Sequence, residues 1–457
     1  MSETELRRAL GFWTTWAMCL GLVTCSTTLM VTGFGFGDLG AGFTWTHIIA
    51  LAYIILVCLA FSELATMYPK ASSLELYTTK ALGSLGGITV GLWYGFKDIF
   101  GFPAEATLVG LILEYFFPAM PWWAWAILVL TIFMILNMLG IVVAGVAQLI
   151  LLVIMVGSYI VMGLVGFLIG SPNYAYLGET LMSPPGSLIY GSPAGLPSIL
   201  VLTLMGVWLF VGMEVAAPLA EEVKRPERTI PLAMLTSMIA LFAFREFMGL
   251  SWVASVPRDI LLSEFPPPHI AAAEYLLGLL GALWFAIISF MATGTTINAV
   301  LAGATRVLYG MSREGYLPKV FGWLHPKYKT PWGSLLILYI LMVIIILLAA
   351  AALGVEAPFS LALCCAFVFM AFYALMFIDV LLLRIRRPEE VRPFTMGGPR
   401  KFPVLSLIGL IATFVILYYS VVPPLGDVKI LYAGGAYCVA CFLAALAIYY
   451  LKIKKGS

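Results

Sequence analysis

Charge is what this sequence has least of. Of its 457 residues only 11% are Asp, Glu, Lys or Arg, less than half the ~25% of an ordinary soluble domain, so no water-facing surface can be built around a single core. Histidine is almost missing: His47, His269 and His325 are far apart near segment ends and form no metal-ligand spacing. The seven cysteines, Cys19, Cys25, Cys58, Cys364, Cys365, Cys438 and Cys441, show neither a zinc pattern nor a disulfide framework. They sit in apolar stretches and read as small core residues. Long polar segments are absent too, which leaves no room for a soluble catalytic module, and no nucleophile, base or metal cluster converges as an enzyme would require. There is no continuous polar stripe or repeated filter motif of the kind a channel uses. The net charge of +2 gives no reason to expect a nucleic-acid partner.

What fills the chain is hydrocarbon-compatible sequence, 62% hydrophobic. A helix needs roughly 20 apolar residues to cross a bilayer. The pattern predicts an all-α membrane protein, a single polytopic domain over 1–457 with about 12 transmembrane helices. They fall near 10–37, 45–67, 84–117, 121–142, 146–170, 196–220, 229–254, 275–311, 333–353, 357–383, 403–423 and 430–451. Placing both termini in the cytoplasm puts 21 of the 25 Lys and Arg on that side, including Arg7, Arg8, Lys224, Arg225, Arg384, Arg386 and Arg387, as the positive-inside bias requires. Arg7 and Arg8 precede a stretch too long and too interrupted for a cleavable signal. The expected location is a plasma or inner membrane. Trp122, Trp123 and Trp125 predict an interfacial belt, the 171–195 loop an ordered external cover, and Pro266-Pro267-Pro268 a stiff turn.

Two apolar segments look interrupted, at Cys25-Ser26-Thr27-Thr28 and at Phe210-Val211-Gly212-Met213-Glu214. Backbone groups freed at mid-membrane must face protein or a watery cavity, and paired breaks in corresponding halves point to a carrier's binding site. N–H groups at a half-helix start suit a carboxylate, and carbonyls at a half-helix end suit an ammonium or a metal cation.

Three motifs follow in order. They are Ser62-Glu63-Leu64-Ala65-Thr66-Met67-Tyr68-Pro69; then Glu221-Glu222-Val223-Lys224-Arg225-Pro226-Glu227-Arg228-Thr229-Ile230-Pro231; and Arg306-Val307-Leu308-Tyr309-Gly310-Met311-Ser312-Arg313-Glu314-Gly315-Tyr316-Leu317-Pro318, with Thr330-Pro331 after it. Together the chain resembles the amino acid, polyamine and organocation transporter superfamily over nearly its whole length. The resemblance implies a 5+5 inverted-repeat fold with discontinuous helices 1 and 6: crossings 1–5 (about 10–170), crossings 6–10 (about 196–383), then two peripheral helices (about 403–451). It also implies alternating access, by rocking of helices 1, 2, 6 and 7 against 3, 4, 8 and 9. On the same basis Ser26, Thr27 and Thr28 would meet a substrate carboxylate, and the carbonyls of Thr24, Cys25, Trp208 and Val211 its amine. Trp208 would be an aromatic gate, Glu214 a gating or proton-coupling group, and Thr295 with Thr296 a sodium site. Where the family has Gly-Ser-Gly this chain has Ser26-Thr27-Thr28, a bulkier break that argues against an ordinary α-amino acid; hydroxyls bonding back within the helix are the structural alternative.

Ionisable groups inside crossings are costly and mark function or pairing. Lys97, Asp98 and Glu105 lie on the third crossing, Glu214 after the second break, and Arg245 and Glu246 in the seventh. At about 100° per residue Asp98 and Glu105 share a face. Either Glu105 or Asp98 receives a cationic group of the cargo, or Lys97 and Asp98 form a satisfied pair; Glu214 either titrates or pairs with Arg245. The sequence thus predicts a secondary carrier of an amino acid or related amine bearing positive charge, with no cofactor beyond a coupling Na+ or H+. An exchanger without ion coupling and a transporter-derived sensor are the alternatives. The expected partners are the cargo and the lipid bilayer, and no oligomeric state is assigned.

Overall fold

The computed structural model describes residues 10–70, 73–138, 145–220, 222–327, 330–398, 402–423 and 426–454, whose regular elements are helices, without a strand ladder among them. Nine helical spans among them are long and apolar enough to cross a membrane, and Phe12–Val23, Trp122–Met138 and Thr203–Ala216 are shorter apolar stretches.

The first segment is two helices, α1 (Phe12–Val23) and α2 (Ser26–Leu39), separated at Thr24 (φ −86°, ψ 62°) and Cys25 (φ −97°, ψ 164°). The break is therefore shorter than predicted. Ser26, Thr27 and Thr28 form the first turn of α2, held because both the amide and the hydroxyl of Thr28 donate to the Cys25 carbonyl, at 3.2 and 2.6 Å. A tight turn at Gly40–Gly42 leads into α3 (Phe43–Met67), and α4 (Ser73–Leu82) and α5 (Ser84–Phe96) follow. Lys97 separates α5 from α6 (Asp98–Phe116), where Pro103 supplies no amide to the carbonyl four residues earlier. Next come α7 (Trp122–Met138), α8 (Gly145–Leu168) and α9 (Tyr174–Met182). The second interrupted segment is α10 (Leu196–Val201), α11 (Thr203–Trp208) and a 3-10 turn at Met213–Ala216. Gly212 turns the chain there with φ 120°, a conformation that a Cβ would strain.

The remaining helices are α12 (Pro226–Ser255), α13 (Arg258–Leu261), α14 (Pro268–Arg313, kinked at Gly278), α15 (Trp332–Ala352), α16 (Ala357–Arg386), α17 (Val404–Val421) and α18 (Val428–Ile448). The broken helices pack against α3, α6, α8, α12, α14 and α16, whereas α15, α17 and α18 present exposed apolar side chains such as Ile344, Leu348, Ile411, Phe414 and Leu443. Hydrocarbon is the medium that such a surface suits. Trp122 departs from the predicted belt: it is buried while Trp123 is exposed, because neighbours on a helix diverge by about 100°. The 171–195 segment does fold onto the bundle, with the Ser187 hydroxyl and Leu188 amide donating to Asp38 at 2.5 and 2.7 Å.

Close approach of α6 to α7 depends on Gly110, where an added Cβ would lie 2.3 Å from the Trp122 carbonyl oxygen. Gly110→Val is expected to destabilise by about 1–3 kcal/mol through overpacking, read as a lowered melting temperature of the purified protein.

Candidate functional site

At the start of α2 the free amides are met by a carboxylate from α6. Ser26 N–H donates to Glu105 Oε2 at 3.0 Å and Thr27 N–H to Oε1 at 3.1 Å. The Thr27 hydroxyl donates to Oε1, and Thr293 Oγ1, from α14, donates to Oε2 at 2.8 Å. Glu105 is 2% exposed, and four donors at the positive end of a helix replace the water it gives up.

The complementary arrangement serves the carbonyl ends. From α12, Arg245 Nη2 donates to the Val23 carbonyl at 2.9 Å and to Thr28 Oγ1 at 2.7 Å, and Nη1 donates to the Leu209 carbonyl. One buried guanidinium thus ties the last carbonyl of α1 to the carbonyl just past α11, both at negative helix ends. Trp208 Nε1 donates to Thr27 Oγ1 at 3.1 Å, joining the two breaks again.

The other buried charges pair locally. Lys97 Nζ bonds both oxygens of Asp98, at 2.9 and 2.7 Å, and lies 4.8 and 5.0 Å from the ring centroids of Tyr94 and Phe369. Asp98 is thus paired with Lys97 while Glu105 is held at the first break, although helical spacing put the two carboxylates on one face. Glu214 accepts from the Tyr373 hydroxyl at 2.9 Å and the Gly212 amide at 3.2 Å, both on Oε2, rather than pairing with Arg245. Glu246 points elsewhere, to His47 Nδ1 at 2.5 Å and the Thr44 hydroxyl at 2.7 Å.

Of the residues predicted for the site, Ser26, Thr27, Thr28, Glu105 and Trp208 come together. Lys97 with Asp98, and Glu214, lie outside that hydrogen-bonded cluster, with Lys97 near enough to Glu214 to act on its charge. The Cys25 carbonyl is occupied by Thr28, and the Trp208 carbonyl accepts from Val211 at 3.4 Å, so the carbonyls that hold a cation are those of Val23 and Leu209 instead. The Thr24 hydroxyl bonds back to Leu20 at 2.7 Å. Thr295 bonds within its own helix to Ala292 at 2.9 Å, while the Thr296 hydroxyl is buried without a partner. Ser26 Oγ is buried and unpartnered too. Among the described residues no group of three or more His, Cys, Asp or Glu is placed to hold a metal ion.

Sequence reasoning missed Arg245 as the link between the breaks, and Thr293, Tyr373 and His47 as partners; a polar residue inside a crossing was the available signal, but not its direction. It counted Arg384 only among the cytoplasmic-side cations and assigned it no partner. Arg384 is buried, and its Nε and Nη2 bond Glu63 at 2.8 and 2.5 Å. The Met396 amide donates to Glu63 at 2.7 Å, and Arg392 Nε stands 3.4 Å away. Just beyond, Glu390 accepts from Arg387 at 2.8 Å and from the Tyr68 hydroxyl. Burial opposes the Glu390 carboxylate, but those two bonds outweigh it and hold its pKa below the usual range; burial and the same contact push the Tyr68 hydroxyl up. This network ties the end of α3 to the end of α16.

A helical membrane bundle with two interrupted helices whose ends meet buried charges defines a transporter architecture. The amino acid permease family model matches residues 10–433, and the chain belongs to that family, within the amino acid, polyamine and organocation superfamily. Its relatives include the low-affinity putrescine importer PlaP of Escherichia coli, 26% identical over 349 residues and 74% of each chain. The amino-acid permease RocC of Bacillus subtilis is 25% identical over 349 residues, 73% of this chain and 72% of that one. A probable GABA permease of Pseudomonas aeruginosa is 24% identical over 300 residues, 63% and 61%. The manganese transporter of Eremococcus coleocola superposes with a TM-score of 0.64 at 12% identity, covering 99% of this chain and 98% of the other, a likeness of fold. The protein is a multi-pass membrane permease for amino acids or amines, in a family of transporters and not of enzymes.

Proposed function

We propose that this permease is a secondary carrier that moves a small protonated amine by alternating access. In this reading there are 12 crossings with cytoplasmic termini, and two inverted five-helix repeats at about 10–170 and 196–383 close around the site. The observation that carries the choice of cargo is the charge at the centre. Lys97 and Arg245 share the apolar interior with four buried carboxylates, Asp98, Glu105, Glu214 and Glu246, the last bonded to His47. Asp98 has Lys97 as its partner and Glu105 has four donors. Glu214 has a hydroxyl and one amide, and no ion pair among the described residues. A protonated amine seated against Glu214 supplies that carboxylate with a counter-charge, with Trp208, Val211 and the Thr24–Thr28 turn as the adjoining wall. Relatives named for putrescine and GABA transport fit an amine cargo.

The test is uptake into proteoliposomes of labelled putrescine, GABA and ethanolamine, in sodium and in choline media. Saturable uptake of at least one amine is expected. Glu214→Gln should lower its uptake at least about tenfold, the equivalent of roughly 1.4 kcal/mol or more. Choline in place of sodium tests whether the unpartnered Thr296 hydroxyl serves a coupling ion. Binding without uptake would identify a sensor, and uptake unchanged in Glu214→Gln would remove Glu214 as the counter-charge.

A further inference from the structure

A half-helix start attracts an anion, and half-helix ends attract a cation, so the two breaks together make a receptor for a paired carboxylate and ammonium. In this chain both places are already taken by its own side chains. Glu105 saturates the Ser26 and Thr27 amides and the hydroxyls of Thr27 and Thr293. Arg245 occupies the Val23 and Leu209 carbonyls and the Thr28 hydroxyl. The adjacent residues Thr27 and Thr28 hold the two charges, which therefore sit on one helical turn, as the two charges of a single amino acid headgroup would.

We infer that Glu105 and Arg245 are a tethered substitute for an α-amino acid headgroup, and that they exclude α-amino acids from the breaks in favour of amines without an α-carboxylate. This rests on the reading of the chain as an amine carrier and names what that carrier rejects. A free headgroup would have to displace two buried charges, each already hydrogen-bonded, from the helix ends that neutralise them. An amine lacking the carboxylate leaves both in place and needs just one counter-charge.

Removing both side chains should uncover the receptor: the amides of Ser26 and Thr27 on one side, the Val23 and Leu209 carbonyls on the other. Glycine and L-alanine binding to the purified full chain, followed by calorimetry and by thermal shift, is expected to be undetectable in the wild type. In Glu105→Ala/Arg245→Ala it should appear at least about tenfold tighter than any wild-type binding. The single variants read each half: acetate should stabilise Glu105→Ala and not Arg245→Ala, and guanidinium should stabilise Arg245→Ala and not Glu105→Ala. The singles decide the matter if the double variant does not fold. Saturable wild-type binding of L-alanine, left within about twofold by Glu105→Gln and Arg245→Gln, would overturn the proposal, as would a folded double variant that binds neither zwitterion. These are binding measurements on the helix breaks. A wild type that transports no amine would defeat the functional proposal and still leave this result readable.

Discussion

Glu63→Leu is expected to destabilise the protein by about 3–5 kcal/mol, the cost of removing one partner from a buried ion pair. The Glu63 carboxylate takes two bonds from Arg384 and one from the Met396 amide, with Arg392 also in reach. Its loss strands a guanidinium whose side chain is only 3% exposed. Arg384 keeps carbonyl acceptors at Gly398 and Met396, but neither carries a full negative charge. Glu63→Gln, which retains one oxygen, should fall between the wild type and Glu63→Leu. The measurement is thermal inactivation in detergent, followed by size-exclusion recovery of monodisperse protein. Loss of less than about 1 kcal/mol would mean that water reaches Arg384, as it does in exposed pairs. Because the network joins the end of α3 to the loop after α16, the same variant should also expose that junction to protease.

Lys97→Met alone should cost a comparable ~3–5 kcal/mol, because it leaves Asp98 charged and buried. Lys97→Met/Asp98→Leu should recover most of that loss, since apolar replacements of a buried pair are often neutral. The cycle also decides what the pair is for. Lys97 lies between the Tyr94 and Phe369 rings and is bonded by both Asp98 oxygens, a geometry that satisfies the ammonium without a cargo. A double variant that keeps its melting temperature and its amine uptake identifies a structural pair. One that keeps the melting temperature and loses uptake makes the pair part of the cargo site.

Several features were legible before any coordinates. The interruption near Cys25 and the irregular stretch around Gly212 were visible as polar or glycine-containing gaps in apolar runs. The structure refines the first to Thr24 and Cys25, with Ser26 to Thr28 helical, because their hydroxyls and amides can cap a turn once Glu105 is present. Burial of Lys97, Asp98, Glu105, Glu214, Arg245 and Glu246 also followed from the apolar sequence around them, and all are buried. Their pairing did not follow. Adjacent in sequence, Arg245 and Glu246 look like a pair, but one turns to the helix breaks and the other to His47. Arg384 stands in an Arg-rich stretch whose sequence names no partner, and it is Glu63, from another helix, that meets it in the interior.

The sequence by itself determined the membrane class, the spacing of the apolar segments, the position of the two breaks and which charges hydrocarbon surrounds. These are local consequences of how poorly a bilayer tolerates polar groups. Tertiary structure decided which group meets which. Glu105 reaches an amide 79 residues away and Arg245 a carbonyl 222 residues away, so their choice of partner depends on how helices pack, and no periodicity along one helix encodes it. For the same physical reason the broken helices could be found in the sequence, whereas the side chains that fill them could be found only in the fold.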